Sequence, residues 1–281
     1  MRCVIILIIK NEKVNTMDFS NVKFDIVIQG GQSNSEGCGV GPVTQELIPS
    51  PNVFYLYAEK TVTVDDENLH ITFHDKPFVI DQAKERESAD GVKTGDFSLT
   101  FAEEYEKSGL LADDRKLLII RAGVGGAGFQ KKHWGLQDCL YLKLLELIDY
   151  ALSLNKENRV VGFLWHQGEH DAFEKNTPDN YKKQLAAMLS GVRARVGEKI
   201  PFIAGEFVND WKSKNIDICA PILQVIREVV AEGGNGGFVE TSDLLSNDQK
   251  NKNGDDIHFC RESLHILGRR YFAEYKRIIG K

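Results

Sequence analysis

Three side chains near opposite ends of the sequence have the chemical types that nucleophilic catalysis requires. Ser33 lies in a GGQSN motif directly after an apolar run, and Asp255 and His258 lie three residues apart near the C-terminus. Serine is a weak nucleophile until a base removes its proton, and a histidine oriented by a carboxylate can supply that base. The residue types therefore predict a serine nucleophile, a histidine general base and an orienting aspartate.

Each of these residues also has an ordinary structural interpretation. Serine and aspartate are common helix caps, and a histidine close to Gly254 fits an exposed loop. The catalytic interpretation is favoured because both segments are expected at strand ends along one edge of a sheet, where ligands of open α/β sheets bind.

The elements that would position these residues are strands alternating with helices. Continuous apolar runs, typical of strands covered on both faces, occupy residues 24–28, 53–57, 117–121, 160–165, 202–206 and 238–240. Helical periodicity covers residues 99–107, 136–154, 181–196, 220–231 and 264–279. This alternation predicts an α/β protein: a three-layer α/β/α sandwich around a parallel sheet of five or six strands.

Residues 58–96 interrupt this alternation. Two alternating runs flank an Asp-Asp-Glu-Asn turn and predict a β-hairpin insertion near residues 60–75. The polar segment 81–95 is expected to be a loop. We expect a single domain over residues 17–281, with residues 1–16 as an N-terminal extension outside the fold.

Composition limits the classes of partner. The chain has 281 residues, 42% of them hydrophobic, and a formal net charge of −6, which argues against binding to nucleic acid or to an anionic membrane surface. The apolar run at residues 4–9 is too short to span a bilayer. Five scattered cysteines without a CxxC pair predict free thiols and a cytoplasmic location, with secretion as the alternative. The oligomeric state stays open.

Two further strand ends carry distinctive residues. The GVGGAG segment at 123–128 matches a dinucleotide-binding pattern, but it follows a middle strand, and no acidic residue ends the next strand. His166, Glu169 and His170 could ligate a metal, but their order is not HExxH and a third ligand has no obvious source. We therefore predict neither a cofactor nor a metal.

Four motifs in order give a more specific resemblance. They are GGQSN at 30–34, GVGGAG at 123–128, WHQGEHD at 165–171 and DDIHF at 255–259. Together they resemble the SGNH hydrolase superfamily, in particular the sialate O-acetylesterase and acetylxylan esterase group, carbohydrate esterase family 6. The resemblance implies a flavodoxin-like fold and a serine esterase that removes O-acetyl groups from a carbohydrate through an acyl-enzyme, without a cofactor.

The resemblance also implies roles for individual residues. It makes Ser33 the nucleophile, His258 the base and Asp255 the orienting acid. The oxyanion would be bound by the backbone N–H groups of Ser33 and Gly126 and by the side-chain amide of Gln167. Three positions depart from the usual family pattern without removing a catalytic group: Ser35, Ala127 and His170.

Supporting or substrate-binding roles are expected for Gln32, Gly125, Glu169, Glu206 and Trp134. Gly125 is the alternative to its neighbour as the backbone donor, and Glu206 is the alternative acid, because some relatives orient the histidine with a glutamate from another strand end. Glu169 would hold its segment together by hydrogen bonds. Trp134 would line the pocket, with core packing as the alternative.

The sequence leaves two other functions open. The first is an esterase or thioesterase for a small non-carbohydrate ester, and the second is a non-catalytic sugar-binding protein on the same fold, since a fold alone does not determine function. The expected partner is a small-molecule or oligosaccharide ester. The sugar and the acetylated position stay undetermined.

Overall fold

The computed structural model describes residues 18–65 and 68–280; the expected extension over residues 1–16 lies outside them. The strands are β1 (Lys23–Gly31), β2 (Val53–Tyr57), β3 (Lys60–Asp65), β4 (Asn68–Phe73), β5 (Val79–Gln82), β6 (Arg86–Glu87), β7 (Lys93–Thr94), β8 (Arg115–Arg121), β9 (Arg159–His166), β10 (Phe202–Gly205) and β11 (Gly236–Val239). The helices are α1 (Ser33–Glu36), α2 (Phe97–Lys107), α3 (Cys139–Ser153), α4 (Glu169–Phe173), α5 (Pro178–Val196), α6 (Asn209–Lys214), α7 (Ile216–Glu232), α8 (Asn247–Asn251) and α9 (Arg261–Ile279).

The main sheet has the strand order β11-β10-β9-β1-β8-β2-β5. The first six strands in this order pair in parallel, and β5 is an edge strand antiparallel to β2. The expected parallel sheet is therefore confirmed, with one antiparallel strand added at its edge. β1 lies between β8 and β9, so its polypeptide is covered by neighbours on both sides.

Helices cover both faces of this sheet, which confirms the three-layer α/β/α sandwich. Phe24, Ile26 and Ile28 of β1 pack into the core that includes α3, α5 and α7. Val27 points the other way and packs into the core beneath α2 and α9. Both faces of β1 are thus apolar, which explains why its sequence is continuous rather than alternating. Within the described ranges, no helix is long and apolar enough to cross a membrane.

The insertion between β2 and α2 was predicted in part. β3 and β4 form the expected antiparallel hairpin, from Lys60 opposite Phe73 to Asp65 opposite Asn68. The expectation of a plain loop over residues 81–95 was wrong, because β5 extends into it and β6 pairs with β7. The charged residues of this segment form tertiary contacts: Glu85, for example, accepts hydrogen bonds from Arg261 in α9. Such a contact leaves no periodic signal in the sequence.

The exit from β1 requires glycine. Gly31 has a φ of +137°, and a Cβ atom there would lie 2.1 Å from the carbonyl oxygen of His166 in β9. The next backbone N–H, that of Gln32, donates to the same oxygen at 3.0 Å. The close approach of β1 and β9 therefore determines where the chain turns into α1.

We expect Gly31→Ala to destabilise the fold by at least about 3 kcal/mol, because the methyl group would clash with backbone that cannot move aside. Gly109→Ala is the matched control, since Gly109 also has a positive φ, +75°, but no atom lies within 4 Å of its Cβ position. That variant should lose only about 1 kcal/mol. Urea denaturation of both variants tests this, and equal losses would contradict the proposed clash.

Candidate active site

The carboxyl ends of three adjacent strands bring the sequence motifs together. β1 pairs with β8 on one side and with β9 on the other, and Gly31 stands opposite His166. α1 starts with Ser33 immediately after β1. The loop after β8 lies against it, since a Cβ atom on Gly125 would be 3.7 Å from the Cβ of Ser33.

Asp255 holds the imidazole of His258. Nδ1 of His258 lies 2.8 Å from Oδ1 and 2.9 Å from Oδ2 of Asp255. Because an ionised carboxylate only accepts hydrogen bonds, Nδ1 carries the proton and Nε2 is left as the basic nitrogen. Burial opposes the charged form of Asp255, but hydrogen bonds from His258 and Asn247 outweigh it and hold the pKa of this carboxyl below its usual value.

Asn34 connects this pair to the segment that contains Ser33. Its Nδ2 donates to the carbonyl of Ile257 at 3.1 Å, and its Oδ1 accepts from the N–H of Phe259 at 3.1 Å. The residues on both sides of His258 are therefore fixed by the residue that follows Ser33. Within the described residues neither Ser33 Oγ nor His258 Nε2 forms a hydrogen bond, and such bonds are often long before substrate binds.

Glu206, the alternative acid, has other partners. It lies 2.8 Å from Nζ of Lys212 and 3.6 Å from Arg227, and its Oε2 accepts from the N–H of Thr241 at 3.1 Å. Its carboxylate is thus already paired with two cations. Asp255, not Glu206, contacts the histidine.

Two backbone N–H groups near Ser33 are available to bind an oxyanion. Gly125 N–H donates to Oε2 of Glu36 at 2.8 Å, so it is already used. In the part of the chain that the structure describes, the N–H of Gly126 has no acceptor. The N–H of Ser33 also has none, because Ser33 begins α1 and no helical residue precedes it.

The expectation that Gln167 donates to the oxyanion does not fit the structure. Its side chain is fully buried, its Nε2 donates to Oδ2 of Asp171 at 2.6 Å, and its Oε1 accepts from the hydroxyl of Tyr181 at 3.0 Å. Longer contacts join the same Nε2 to Ala127 and Gln32 at 3.3 Å. Gln167 therefore ties the loops after β1, β8 and β9 together beneath the site.

Comparison with known proteins places this arrangement in a family. A family model described as "carbohydrate esterase, sialic acid-specific acetylesterase" matches residues 23–277. The chain belongs to this carbohydrate esterase family. The protein is accordingly a carboxylic ester hydrolase that acts on acetylated carbohydrates. A search of curated proteins finds no match.

Solved structures share the fold of this esterase at low sequence identity. NanS has a TM-score of 0.72 and 16% identity, with 92% of this chain and 98% of that chain covered. A protein from Arabidopsis thaliana has a TM-score of 0.64 and 17% identity, with coverages of 90% and 98%. A carbohydrate acetylesterase from Xanthomonas citri has a TM-score of 0.62 and 18% identity, with coverages of 92% and 57%.

Trp134 of the esterase does not line the site. Its side chain is fully buried and packs edge-on against Trp165, with ring centroids 5.0 Å apart. The alternative interpretation as core packing is therefore correct. No group of three or more His, Cys, Asp or Glu side chains in residues 18–65 and 68–280 is arranged to hold a metal ion.

Glu169 and His166 form a buried polar pair under the site. Both side chains are fully buried, and His166 Nε2 lies 3.7 Å from Oε1 of Glu169. Burial raises the pKa of Glu169 and lowers the pKa of His166 to about 3. Burial thus disfavours the charged form of both side chains. Oε1 of Glu169 accepts from Asn34 at 2.9 Å, so this carboxyl helps to fix the residue next to Ser33.

Three residues that hold the site together were not identified from the sequence: Asn34, Asn247 and Glu36. Asn34 is part of the GGQSN motif, but its hydrogen bond to Phe259 in the DDIHF segment spans 225 positions. Asn247 donates to Oδ2 of Asp255 at 2.9 Å, and no motif contains it. Gln32 was expected only as a supporting residue; its Oε1 accepts from the N–H of His170 at 3.1 Å. Glu36 holds the loop after β8. Only folding reveals these contacts.

We expect Glu169→Gln to become more stable relative to the wild type as pH rises from about 4. A glutamate whose pKa is raised in the folded state keeps its proton after the unfolded chain has lost it, so wild-type stability falls with rising pH in that range, by at most about 1.4 kcal/mol per pH unit. Glutamine does not titrate and mimics the protonated acid. Denaturation curves from pH 4 to 8 measure the difference; a difference independent of pH would mean that folding does not raise the pKa of Glu169.

Proposed function

We propose that this esterase removes O-acetyl groups from a sugar by a serine mechanism with Ser33, His258 and Asp255. One observation carries the proposal. Asn34 holds both neighbours of His258 beside the nucleophile segment, while Asp255 leaves Nε2 of His258 as the free base. A hydroxyl, a basic nitrogen and an orienting carboxylate then lie at one strand edge.

In the proposed reaction, Ser33 Oγ attacks the acetyl carbonyl while His258 Nε2 takes the hydroxyl proton. The resulting imidazolium is stabilised by Asp255. His258 then protonates the sugar oxygen as the C–O bond breaks, leaving an acetyl-enzyme. Water attacks this ester with His258 again as the base, and acetate leaves as Ser33 recovers its proton.

The negative charge of each tetrahedral intermediate would be bound by the N–H groups of Ser33 and Gly126. Neither has an acceptor among the described residues, and both are fixed by backbone that the surrounding contacts hold in place. Donors that are oriented before the reaction stabilise developing charge without further reorganisation. Gln167 has no part in this proposal, because its amide is fully used.

A cavity beside Gly126 supports the proposal of a carbohydrate substrate. Its volume is about 320 Å³, and its lining includes Asn68, His70, Lys131, Lys132 and His133. Leu69 of the same lining lies 3.8 Å from the Cβ position of Gly126, so the hairpin β3–β4 forms a wall next to the oxyanion donors. Side chains rich in hydrogen-bond donors suit sugar hydroxyls. Lys131 already pairs with Glu174 at 3.3 Å, so it is Lys132 that favours an acidic sugar over a neutral one.

We propose the cytoplasm as the location of the enzyme. Cys38, Cys139, Cys219 and Cys260 are free thiols, and free thiols persist in reducing compartments. This part of the proposal is independent of the catalytic assignment.

Ser33→Ala and His258→Ala should each reduce acetate release by at least about a thousandfold, because each variant removes a group that takes part in every turnover. The measurement is acetate release from O-acetylated sialic acid, acetylated xylan and an aryl acetate. If the two variants turned over substrate as fast as the wild type, the serine mechanism would be excluded. Turnover of the aryl ester alone would instead favour a small non-carbohydrate ester as substrate.

The choice of acid is tested separately. Asp255→Asn should lower kcat by about a hundredfold to ten-thousandfold, because asparagine can donate to His258 Nδ1 and so favours the wrong tautomer. Glu206→Gln removes a more deeply buried carboxylate, 8% exposed against 29% for Asp255, that does not contact the histidine, and it should keep most of the wild-type kcat. A larger loss in Glu206→Gln than in Asp255→Asn would reverse the assignment.

A further inference from the structure

Glu36 connects the nucleophile helix to the oxyanion loop, and nothing in the catalytic scheme uses it. It is the last residue of α1, three positions after Ser33. Its Oε2 accepts the N–H of Gly125 at 2.8 Å. This bond spans 89 positions and ends one residue before the proposed oxyanion donor Gly126.

We propose that Glu36 is a positioning residue, which holds the start of the Gly125–Gly126 turn against α1 and so sets where the Gly126 N–H lies relative to Ser33. The inference rests on the proposed serine esterase function. Glu36 would act only through the hydrogen bond that its carboxylate accepts from the Gly125 N–H, since Glu36 does not touch the reacting atoms.

Gly125 and Gly126 are the central residues of a tight turn. The N–H of Ala127 donates to the carbonyl of Val124 at 3.1 Å, and φ is +75° at Gly126 but not positive at Gly125. These features define a type II turn, with glycine at both central positions. The N–H that Glu36 binds belongs to the peptide that enters this turn, and the next N–H along the chain is that of Gly126. Without that bond, two glycines would let the turn shift relative to α1, and the Gly126 N–H would shift with it.

Glu36 is itself held by neighbouring residues. Its backbone carbonyl accepts from the guanidinium of Arg121 at 2.5 Å, and Arg86 Nη1 lies 3.8 Å from Oε1 of its carboxylate. The loop is close to α1 at its start as well, since a Cβ on Gly123 would lie 3.1 Å from the N atom of Glu36. The acceptor therefore has little freedom, and the Gly125 N–H that it binds has little freedom either.

The role of Glu36 as a hydrogen-bond acceptor can be distinguished from a role of its negative charge. A carboxylate beside an oxyanion site repels the charge that develops there, so the negative charge of Glu36 offers no catalytic advantage. Glutamine keeps an oxygen acceptor at the same reach and removes the charge. Aspartate keeps the charge but is one methylene too short. If Glu36 acts as an acceptor, glutamine should replace it better than aspartate does.

The experiment compares Glu36→Gln, Glu36→Asp and Glu36→Ala with the wild type on an aryl acetate. Glu36→Ala and Glu36→Asp should lower kcat by about tenfold to a hundredfold, with KM changed by less than about twofold, because the lost interaction matters mainly in the transition state. Glu36→Gln should stay within about threefold of the wild-type kcat. Glu240→Ala is the control: Glu240 pairs with Arg227 on the surface and should leave kcat unchanged.

A second measurement follows the turn directly. In protein labelled with 15N-glycine, the Gly125 amide should exchange slowly with solvent in the wild type and in Glu36→Gln, and faster in Glu36→Asp and Glu36→Ala. If the alanine variant does not fold, the aspartate and glutamine variants still decide the order.

Wild-type kcat in both Glu36→Ala and Glu36→Asp would overturn the inference, as would a glutamine variant as slow as the alanine variant. Failure of the proposed function is distinguishable from these results. It would appear as wild-type turnover that Ser33→Ala does not reduce, before any Glu36 variant is measured.

Discussion

The hydrogen bonds of the Asn34 side-chain amide hold the two halves of the site together. The amide bonds to backbone on both sides of His258 and so joins two segments that lie 225 positions apart. A third bond, to Glu169, leaves this amide little freedom to rotate. A buried amide hydrogen bond contributes about 1 kcal/mol net, and losing one partner costs more than that because the other group stays buried and unpaired. The position of His258 therefore follows from the folding of β1 and α1.

The same strand edge is held together by buried polar groups, not by apolar packing alone. Gln167, Gln32 and Asp171 connect the loops after β9, β1 and β8 through amide and carboxylate contacts. Buried polar groups must be paired, so these loops can adopt few alternative arrangements. Rigidity of this kind lets backbone N–H groups face a developing charge without reorganising.

Strands and helices with strong apolar periodicity could be predicted, because two-sided burial imposes its pattern on the residues themselves. The insertion was harder. β5 and the β6–β7 pair are short and polar, and the contact between Glu85 and Arg261 in α9 has no local signature. The interpretations of Gln167 and Trp134 failed for a related reason: residue type shows that a group can donate or stack, but not whether the core has already used it.

The fold class, the chemical types at the site and the order of the motifs could all be read from the amino-acid sequence, since apolar periodicity and reactive side chains are local properties. The folded chain was needed to show that Asp255 rather than Glu206 contacts His258, and that Gly126 rather than Gly125 has an N–H without an acceptor among the described residues. These choices depend on which hydrogen-bonding partners lie within about 3 Å. That distance is set by distant parts of the chain after they have packed together.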